Sequence, residues 1–496
     1  MLDSVRSVLA GAFAALTLFS TNAVADTPLP STIKAALNTA AIPEASYAAL
    51  VMTLDGQVLL ARNAEVAMNP ASVMKVVTTF AGLEALGPAY TWRTEVYATG
   101  PVVGGRLQGN LVIRGGGDPM LSMEKFWMLL RDVRARGIRD IAGDVLLDRA
   151  YFVEPDIDPG QFDGRPTRPY NAGPDALLVN FRSVRLTFVP DAETRTVRIL
   201  AEPPLSEFGI VNRLEWADAP CDGWPEDAAA DMTKLTLTFE GRYPASCGEQ
   251  VKFFTLLAPN EYNRALFDHL WRGLGGTVTG TVRVGSADAA ARLVTSLESG
   301  PLLEAVREIN KHSNNVMARH LFLTLGRAAS GTGNLESARA AVAASLQRAG
   351  IAAPELYVEN GAGLSRNARV SAMTLARILS TAASLPVGPE FISSFPIAGV
   401  DGTLRRWFNK AAFAGRAHLK TGYLENVRAM AGYVHGPDGR MLVAVGLVNH
   451  PNARNAMGVQ EALIQWAYEA GGRPGCCFGM QRAARKGQSA GGRPRP

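Results

Sequence analysis

A serine followed three residues later by a lysine is a pair whose types and spacing could do chemistry, and one copy in this chain has the setting for it. The pair is Ser72 and Lys75, in Asn69-Pro70-Ala71-Ser72-Val73-Met74-Lys75. Residues three apart on a helix share a face, so the amine lies within reach of the hydroxyl. A lysine kept out of water beside other cations gives up its proton more readily, and it then serves as the base a serine needs to become a nucleophile. The local sequence predicts a helix start: Asn69 suits the N-cap, Pro70 suits the first helical position, and an apolar run from Val73 to Leu86 ends at Gly87-Pro88. Ser72 is thereby placed in the first turn, where unpaired N–H groups and the helix dipole favour negative charge on a reacting oxygen.

Ser-x-x-Lys alone is weak, because it recurs at Ser31/Lys34 and Ser122/Lys125. Both of those read as polar helix faces. The middle copy differs in its setting, a capped apolar helix directly after two strand-like runs. Lysine is also scarce, nine against a combined Lys+Arg of 50, so a lysine inside an apolar helix is not casual.

Two further motifs follow in order, Ser313-x-Asn315 and Lys420-Thr421-Gly422. Ser-x-Asn also occurs at Ser20/Asn22 and Ser365/Asn367, whereas Lys-Thr-Gly occurs once. Taken together, the three resemble the penicillin-recognising serine enzymes: DD-peptidases, transpeptidases and serine β-lactamases. The resemblance implies that Ser72 is acylated, that Lys75 is its base, that Ser313 relays a proton to the leaving group and that Asn315 binds the substrate amide. It implies that Lys420 and Thr421 hold the substrate's terminal carboxylate, that Gly422 lets substrate lie against the strand, and that the N–H groups of Ser72 and Tyr423 bind the oxyanion.

The long segment between Ser72 and Ser313 narrows the resemblance to the class C, type-4 penicillin-binding proteins, D-alanyl-D-alanine carboxypeptidase/endopeptidases. Further matches are Leu111-Val-Ile-Arg-Gly-Gly-Gly-Asp118-Pro119, Gly361-Ala-Gly-Leu-Ser365-Arg366 and Pro396-Ile-Ala-Gly-Val-Asp401-Gly402-Thr403-Leu404. In that subfamily an aspartate of the insertion and an arginine after Gly-Leu-Ser help bind the free end of the diaminopimelate side chain, and Asp148 and Arg366 match best. One residue departs: the family usually has threonine after Lys-Thr-Gly, and Tyr423 stands here. The backbone N–H survives that change, while the phenol is expected to narrow the cleft or alter deacylation. The implied partners are peptidoglycan peptides and, as acylating inhibitors, β-lactam antibiotics, with no cofactor and no metal. A serine β-lactamase and a catalytically weak wall-binding scaffold are the alternatives.

The elements that must position these residues are legible in outline. Residues 30 to 40 read as a helix. Apolar runs on either side of Asp55-Gly56, Ser46 to Leu54 and Gln57 to Arg62, read as a β-hairpin that delivers the chain to Ser72. From about Trp92 short β-type runs alternate with Gly/Pro-rich turns: Leu111–Arg114, Val145–Leu147, Val184–Val189, Thr196–Leu200 and Leu235–Phe239, with at least one helix, near Lys125 to Gly137. Gly115-Gly-Gly-Asp118-Pro119 lacks the Lys-Ser/Thr ending of a phosphate loop and reads as a tight turn. Helical periodicity resumes at Pro301–Lys311, Ser313–Leu321 and Leu335–Ala349. Strand-like runs at Ala417–Tyr423, Ala429–Val434 and Met441–Val448 precede a last helix over about Asn455 to Ala470. The expected fold class is α/β (α+β): a penicillin-binding transpeptidase-like domain, its antiparallel sheet built from both ends of the chain and covered by helices, interrupted by a β-rich insertion.

With 496 residues, 47% hydrophobic and 19% charged, the chain has room for two or three domains. The expected organisation is a leader over 1–25, a discontinuous DD-peptidase domain over 26–93 and 296–470, an insertion over 94–295 and a disordered basic tail over 471–496. Arg6, the apolar run Val8 to Phe19 and Ala23-Val24-Ala25 read as a secretory signal, with an uncleaved anchor as the alternative, so the expected location is the periplasm. The formal charge of +5 resides in the tail, whose six basic residues have no acidic counterpart, and it gives no nucleic-acid footprint. The tail is expected to brush anionic envelope polymers and to be at most peripheral to the membrane. Cys221 and Cys247 share one segment and are candidates for a bridge in an oxidising compartment. Adjacent Cys476 and Cys477 and six scattered histidines do not resemble a metal site. The oligomeric state stays open.

Overall fold

The computed structural model describes residues 24–154, 157–222, 229–231 and 235–472. The expected leader up to Ala23, the tail from Arg473 and the Cys476-Cys477 pair lie outside the described residues. Among those described, no helix is long and apolar enough to cross a membrane.

Gly56, at φ 92°, lets the chain double back between β1 (Tyr47–Thr53) and β2 (Val58–Arg62), as the Asp-Gly signal requires. β1 also pairs with the far end of the sequence. The strands β3 (Ala417–Leu424), β4 (Val427–His435) and β5 (Met441–Asn449) complete an antiparallel sheet in the order β3-β4-β5-β1-β2. Every residue of β1 is buried, because both faces of the sheet are covered. Tyr47, Ala49 and Val51 pack with Ile33 and Leu37 of the Ser31–Thr39 helix and Leu463 and Ala467 of the Met457–Ala470 helix. Ala48, Leu50 and Met52 face the Met74–Leu86 and Ala372–Ser384 helices. That period-2 division explains why the run Tyr47–Thr53 is apolar throughout instead of alternating.

The segment between the first two motifs leaves and returns through one antiparallel pair, Arg93–Ala98 against Arg292–Glu298. Just outside it, Trp92 and Ser299 exchange two hydrogen bonds, Trp92 N–H to Ser299 Oγ at 3.0 Å and Ser299 N–H to Trp92 O at 2.9 Å. The pair belongs to a five-stranded mixed sheet with Leu111–Arg114, Val145–Asp148 and Val282–Val284. Further small sheets include Ser183–Asp191, Thr196–Glu202 and Thr236–Pro244, close to where β-type runs were expected. This segment has its own core around Phe126, Phe188, Phe239 and Trp271. Cys221 and Cys247 are bridged. A loop of this length gains about 3–4 kcal/mol from such a cross-link if unstrained. The helix near Lys125 is present as Met123–Ala135, and its N-cap is Ser122, whose Oγ accepts from Lys125 N–H at 3.3 Å. That contact accounts for the third Ser-x-x-Lys. A second helix, Pro259–Gly273, is not located by the sequence reading although Pro259 opens it and Tyr262, Leu266 and Leu270 recur at helical spacing.

His320, fully buried on the Asn315–Ser330 helix, pins the two parts together. Its Nε2 accepts from Asp175 N–H at 3.2 Å, which leaves the proton on Nδ1 to donate to Gly117 O at 3.0 Å. Gly117 belongs to the glycine cluster, which runs as irregular backbone against neighbouring segments, with a turn only from Pro119: φ of Gly117 is 79°, and a Cβ there would meet the Phe152 ring at 2.5 Å. Burial lowers the His320 pKa to about 4 from 6.5, against opposing pulls from Gly117 O and Asp175. The folded value lies below the unfolded one, so the neutral ring contributes fully above about pH 6.5 and its contribution is lost as pH falls towards 4, a change on the order of 3 kcal/mol. Denaturant unfolding at stepped pH should therefore show wild-type stability falling more steeply between pH 6.5 and 4 than that of His320→Gln. Equal slopes would rule out His320 as the titrating group.

Candidate active site

Asn69 Oδ1 accepts from Ala71 N–H at 2.9 Å, as a capping side chain does, and Asn69 Nδ2 donates to Ser365 O at 2.8 Å. The helix start nevertheless differs from expectation. Ala71 has φ 46°, which bends the chain into a 3-10 turn over Ala71–Val73, and the α-helix begins at Met74. Pro70 precedes that turn. Ser72 therefore rides on a tighter turn than the first turn of an α-helix.

Lys75, one turn on, is fully buried and points back. Its Nζ lies 2.9 Å from Ser72 Oγ, 2.8 Å from Asn315 Oδ1 and 2.6 Å from Ala362 O. As an ammonium it donates to all three. With one proton gone, its lone pair accepts from the Ser72 hydroxyl while two donors remain for Asn315 and Ala362. Burial, then the charges of Lys420 and Arg319, hold its pKa well below the usual lysine range.

Asn315 opens the Asn315–Ser330 helix, capped by Asn314, whose Oδ1 accepts from Met317 N–H at 3.0 Å. Ser313 just before it has φ 59°, a left-handed turn that presents its hydroxyl to Lys420. Lys420 Nζ donates to Ser313 Oγ and to Thr421 O, both at 2.9 Å. Burial lowers the Lys420 pKa to about 7. The Thr421 and Thr403 hydroxyls are 2.9 Å apart.

β3 is an edge strand lying on the Ser72 turn. A Cβ at Gly422 would meet Pro70 O at 2.5 Å and the Ala71 side chain at 3.2 Å, so only glycine allows this approach. Leu419 N–H donates to Pro396 O, and Ala417 O accepts from Ala398 N–H, both away from β4. Alternation along the strand gives Thr421 and Tyr423 the same outward orientation, so the Tyr423 N–H points to the open edge. The Tyr423 side chain is 57% exposed, and the Arg428 guanidinium, from the paired position on β4, stacks 4.4 Å from its ring centre.

Beside this group opens a cavity of about 430 Å³ lined by Glu154, Asp158, Phe162, Arg319, Glu359 and Arg366. Arg366 stacks over Phe162 at 5.2 Å and reaches Glu425 at 3.4 Å. Asp148 is not on this wall. It ends the Val145–Asp148 strand and turns to Arg114 of the neighbouring strand at 3.0 Å, because the two occupy paired positions. Sequence reading gave Asn69 only as an N-cap and gave no site role to Thr403, Glu154 or Arg319. Arg319 was findable, one helical turn from Asn315. It is 7% exposed, donates to Ala172 O at 3.2 Å and has its pKa lowered by burial to about 10. Among the described residues no group of His, Cys, Asp or Glu is arranged to hold a metal ion.

A serine bonded to a buried lysine, a second serine bonded to a second lysine and a glycine-bearing edge strand across the Ser72 turn define a serine hydrolase of the penicillin-recognising kind. Residues 29–470 match the D-Ala-D-Ala carboxypeptidase 3 (S13) family, and the chain belongs to that family. A D-alanyl-D-alanine carboxypeptidase of Actinomadura sp. (strain R39) is 29% identical over 433 residues, covering 84% of this chain and 79% of that protein. The crystal structure of penicillin binding protein 4 (dacB) from Haemophilus influenzae superposes with a TM-score of 0.74 at 22% identity, covering 88% of this chain and 99% of that one. The same Haemophilus protein complexed with a β-lactam gives a TM-score of 0.69 at 22% identity, covering 88% and 98%. The fold is thus the penicillin-binding one, and the enzyme is a serine-type D-Ala-D-Ala carboxypeptidase.

Gly422→Ala should push β3 off the Ser72 turn. An ångström of misplacement at a reacting centre costs about 100-fold in rate, so penicillin acylation should slow by that order with far-UV circular dichroism unchanged. Acylation at the wild-type rate would show that the close approach is dispensable.

Proposed function

We propose that the protein hydrolyses D-alanyl-D-alanine ends, and D,D cross-links, of peptidoglycan peptides through an acyl-enzyme on Ser72. The observation that carries this reading is the 2.9 Å contact between Ser72 Oγ and the fully buried Lys75 Nζ. Lys75, unprotonated, takes the Ser72 proton as Oγ attacks the scissile carbonyl carbon, a step for which a positioned base contributes about 10²–10⁴-fold. The N–H groups of Ser72 and Tyr423 receive the oxyanion, each worth about 3 kcal/mol. Ser313 Oγ, held by Lys420, passes a proton to the departing amine nitrogen as the C–N bond breaks. Water then attacks the Ser72 ester and restores the hydroxyl. Asn315 binds the substrate amide, and Thr421 with Lys420 receives the terminal carboxylate.

The cavity supports recognition of a stem-peptide side chain bearing both charges, with Arg366 for its carboxylate. Glu154 and Asp158, which line that wall where Asp148 does not, suit its ammonium. β-Lactams are proposed as acylating inhibitors, in keeping with the β-lactam complex of the Haemophilus protein. The periplasm is proposed as the location from the leader-like N-terminus and the wall substrate.

Intact-protein mass after incubation with a penicillin should show a single adduct that maps to Ser72. Ser72→Ala should show none, and Lys75→Ala should form it about 10²–10⁴-fold more slowly. Labelling of the alanine variant at the wild-type rate would falsify the assignment. Rapid drug turnover without release of D-alanine from peptide would make the enzyme a β-lactamase instead.

A further inference from the structure

Thr403 belongs to none of the three motifs, yet its Oγ1 lies 2.9 Å from Thr421 Oγ1. Three observations show that its loop is fixed in place. Asp401 Oδ1 accepts from Ile397 N–H at 2.7 Å, closing the loop on itself. Asp401 Oδ2 accepts from Lys311 Nζ at 2.7 Å, and the same amine donates to Phe395 O at 2.7 Å. A Cβ at Gly402, whose φ is 56°, would meet Lys311 O at 2.5 Å, so the loop packs directly on the end of the Leu302–Lys311 helix. Lys311 is 4% exposed and stands two residues before Ser313. On the other side Leu404 is fully buried, and Pro396 O accepts from Leu419 N–H of β3. One ion pair, with its lysine buried and its aspartate partly exposed, therefore ties the chain leading into Ser313 to a loop hydrogen-bonded along the Lys420-Thr421-Gly422 strand.

Two hydroxyls in contact share one of their two protons. When Thr403 is the donor, the Thr421 proton is left free to turn towards the cleft, and the donated bond polarises the Thr421 O–H so that it donates more strongly. A carboxylate needs such a donor, and a carboxamide needs it far less. Resting on the reading that Thr421 receives the substrate's terminal carboxylate, we propose that Thr403 is a positioning residue for that carboxylate. It acts through Thr421 and is held in register by the Lys311–Asp401 pair. The recognition of a free C-terminal carboxylate is thereby distributed over both threonines, and it depends on an ion pair outside the cleft.

The test compares the full-length enzyme on a synthetic stem peptide ending in D-Ala-D-Ala and on the same peptide with a C-terminal carboxamide. Wild type should prefer the acid. Thr403→Val should shrink that preference about tenfold, chiefly through KM for the acid, with kcat/KM for the amide little moved; Thr403→Ser should restore it. Asp401→Asn, which keeps an acceptor for Ile397 N–H but removes the charge opposite Lys311, should shrink it in the same direction. Equal losses on both peptides would reduce Thr403 to a structural residue, and an unchanged preference would remove it from recognition; either result overturns the proposal. Thr421→Val separates the two levels. If it leaves the acid preference intact, the carboxylate role of Thr421 itself falls, whereas a penicillin adduct on Ser72 would still stand.

Discussion

The structure depends on a buried lysine whose contacts are a hydroxyl, an amide oxygen and a carbonyl instead of a carboxylate. Taking an ammonium out of water costs several kcal/mol unless an opposite charge compensates. Lys75 has instead two cations near enough to repel it, Lys420 and Arg319. The cheapest relief is to release a proton, which is what a base requires. An aspartate in place of Asn315 would hold the proton on Lys75 and remove the driving force. The three acceptors come from residues 72, 315 and 362, so no local segment can build this site. Convergence depends on close packing: a Cβ at Gly363 would lie 1.8 Å from Ala71 O.

The long segment between Ser72 and Ser313 separates the motifs in sequence without separating them in space. Its ends are held side by side by Trp92 and Ser299, and the entropy of closing a loop grows only slowly with its length. The segment also contributes to the cleft. Tyr170 O accepts from Asn315 Nδ2 at 3.3 Å, and Glu154, Asp158 and Phe162 line the cavity opposite Arg366. The His320 and Trp92 contacts, the latter through Nε1–H to Thr324 Oγ1 at 3.0 Å, hold both parts on one face of the Asn315–Ser330 helix. The same helix carries Asn315 and Arg319, so shifts between the two parts act directly on the partner of Lys75.

What could be read from the sequence was what local chemistry encodes. Asp55-Gly56 marked the hairpin, the three motifs marked the residues around Ser72, and the apolar runs at both ends of the chain marked an antiparallel sheet covered by helices. Details set by tertiary packing were not legible. Asn69 looked like an ordinary N-cap, but its amide also holds Ser365 O, and the left-handed Ala71 delays the helix by a turn. Asp148 and Glu154 are both acids after a strand-like run, and nothing local says that the first faces Arg114 while the second lines the cavity. Thr403 stands out in the sequence only as part of a matching stretch, because its contact comes from a neighbour 18 residues away in sequence.

Tyr423 departs from the resemblance, and the strand sets where its side chain goes. The family resemblance expects threonine there, and a phenol inside the cleft would obstruct it. On an edge strand, however, the backbone and the side chain of one residue face different surroundings. The Tyr423 N–H points outward along the strand edge, whereas its ring is exposed and stacked on Arg428 at the paired position of the next strand. Such a cross-strand cation–π contact is worth about 0.5–1 kcal/mol at an exposed site, enough to bias the ring without burying it. The oxyanion contact proposed for this position comes from an atom that every residue except proline supplies. That contact makes no demand on the side chain, whereas Gly422 beside it is pressed against Pro70 O and admits no Cβ.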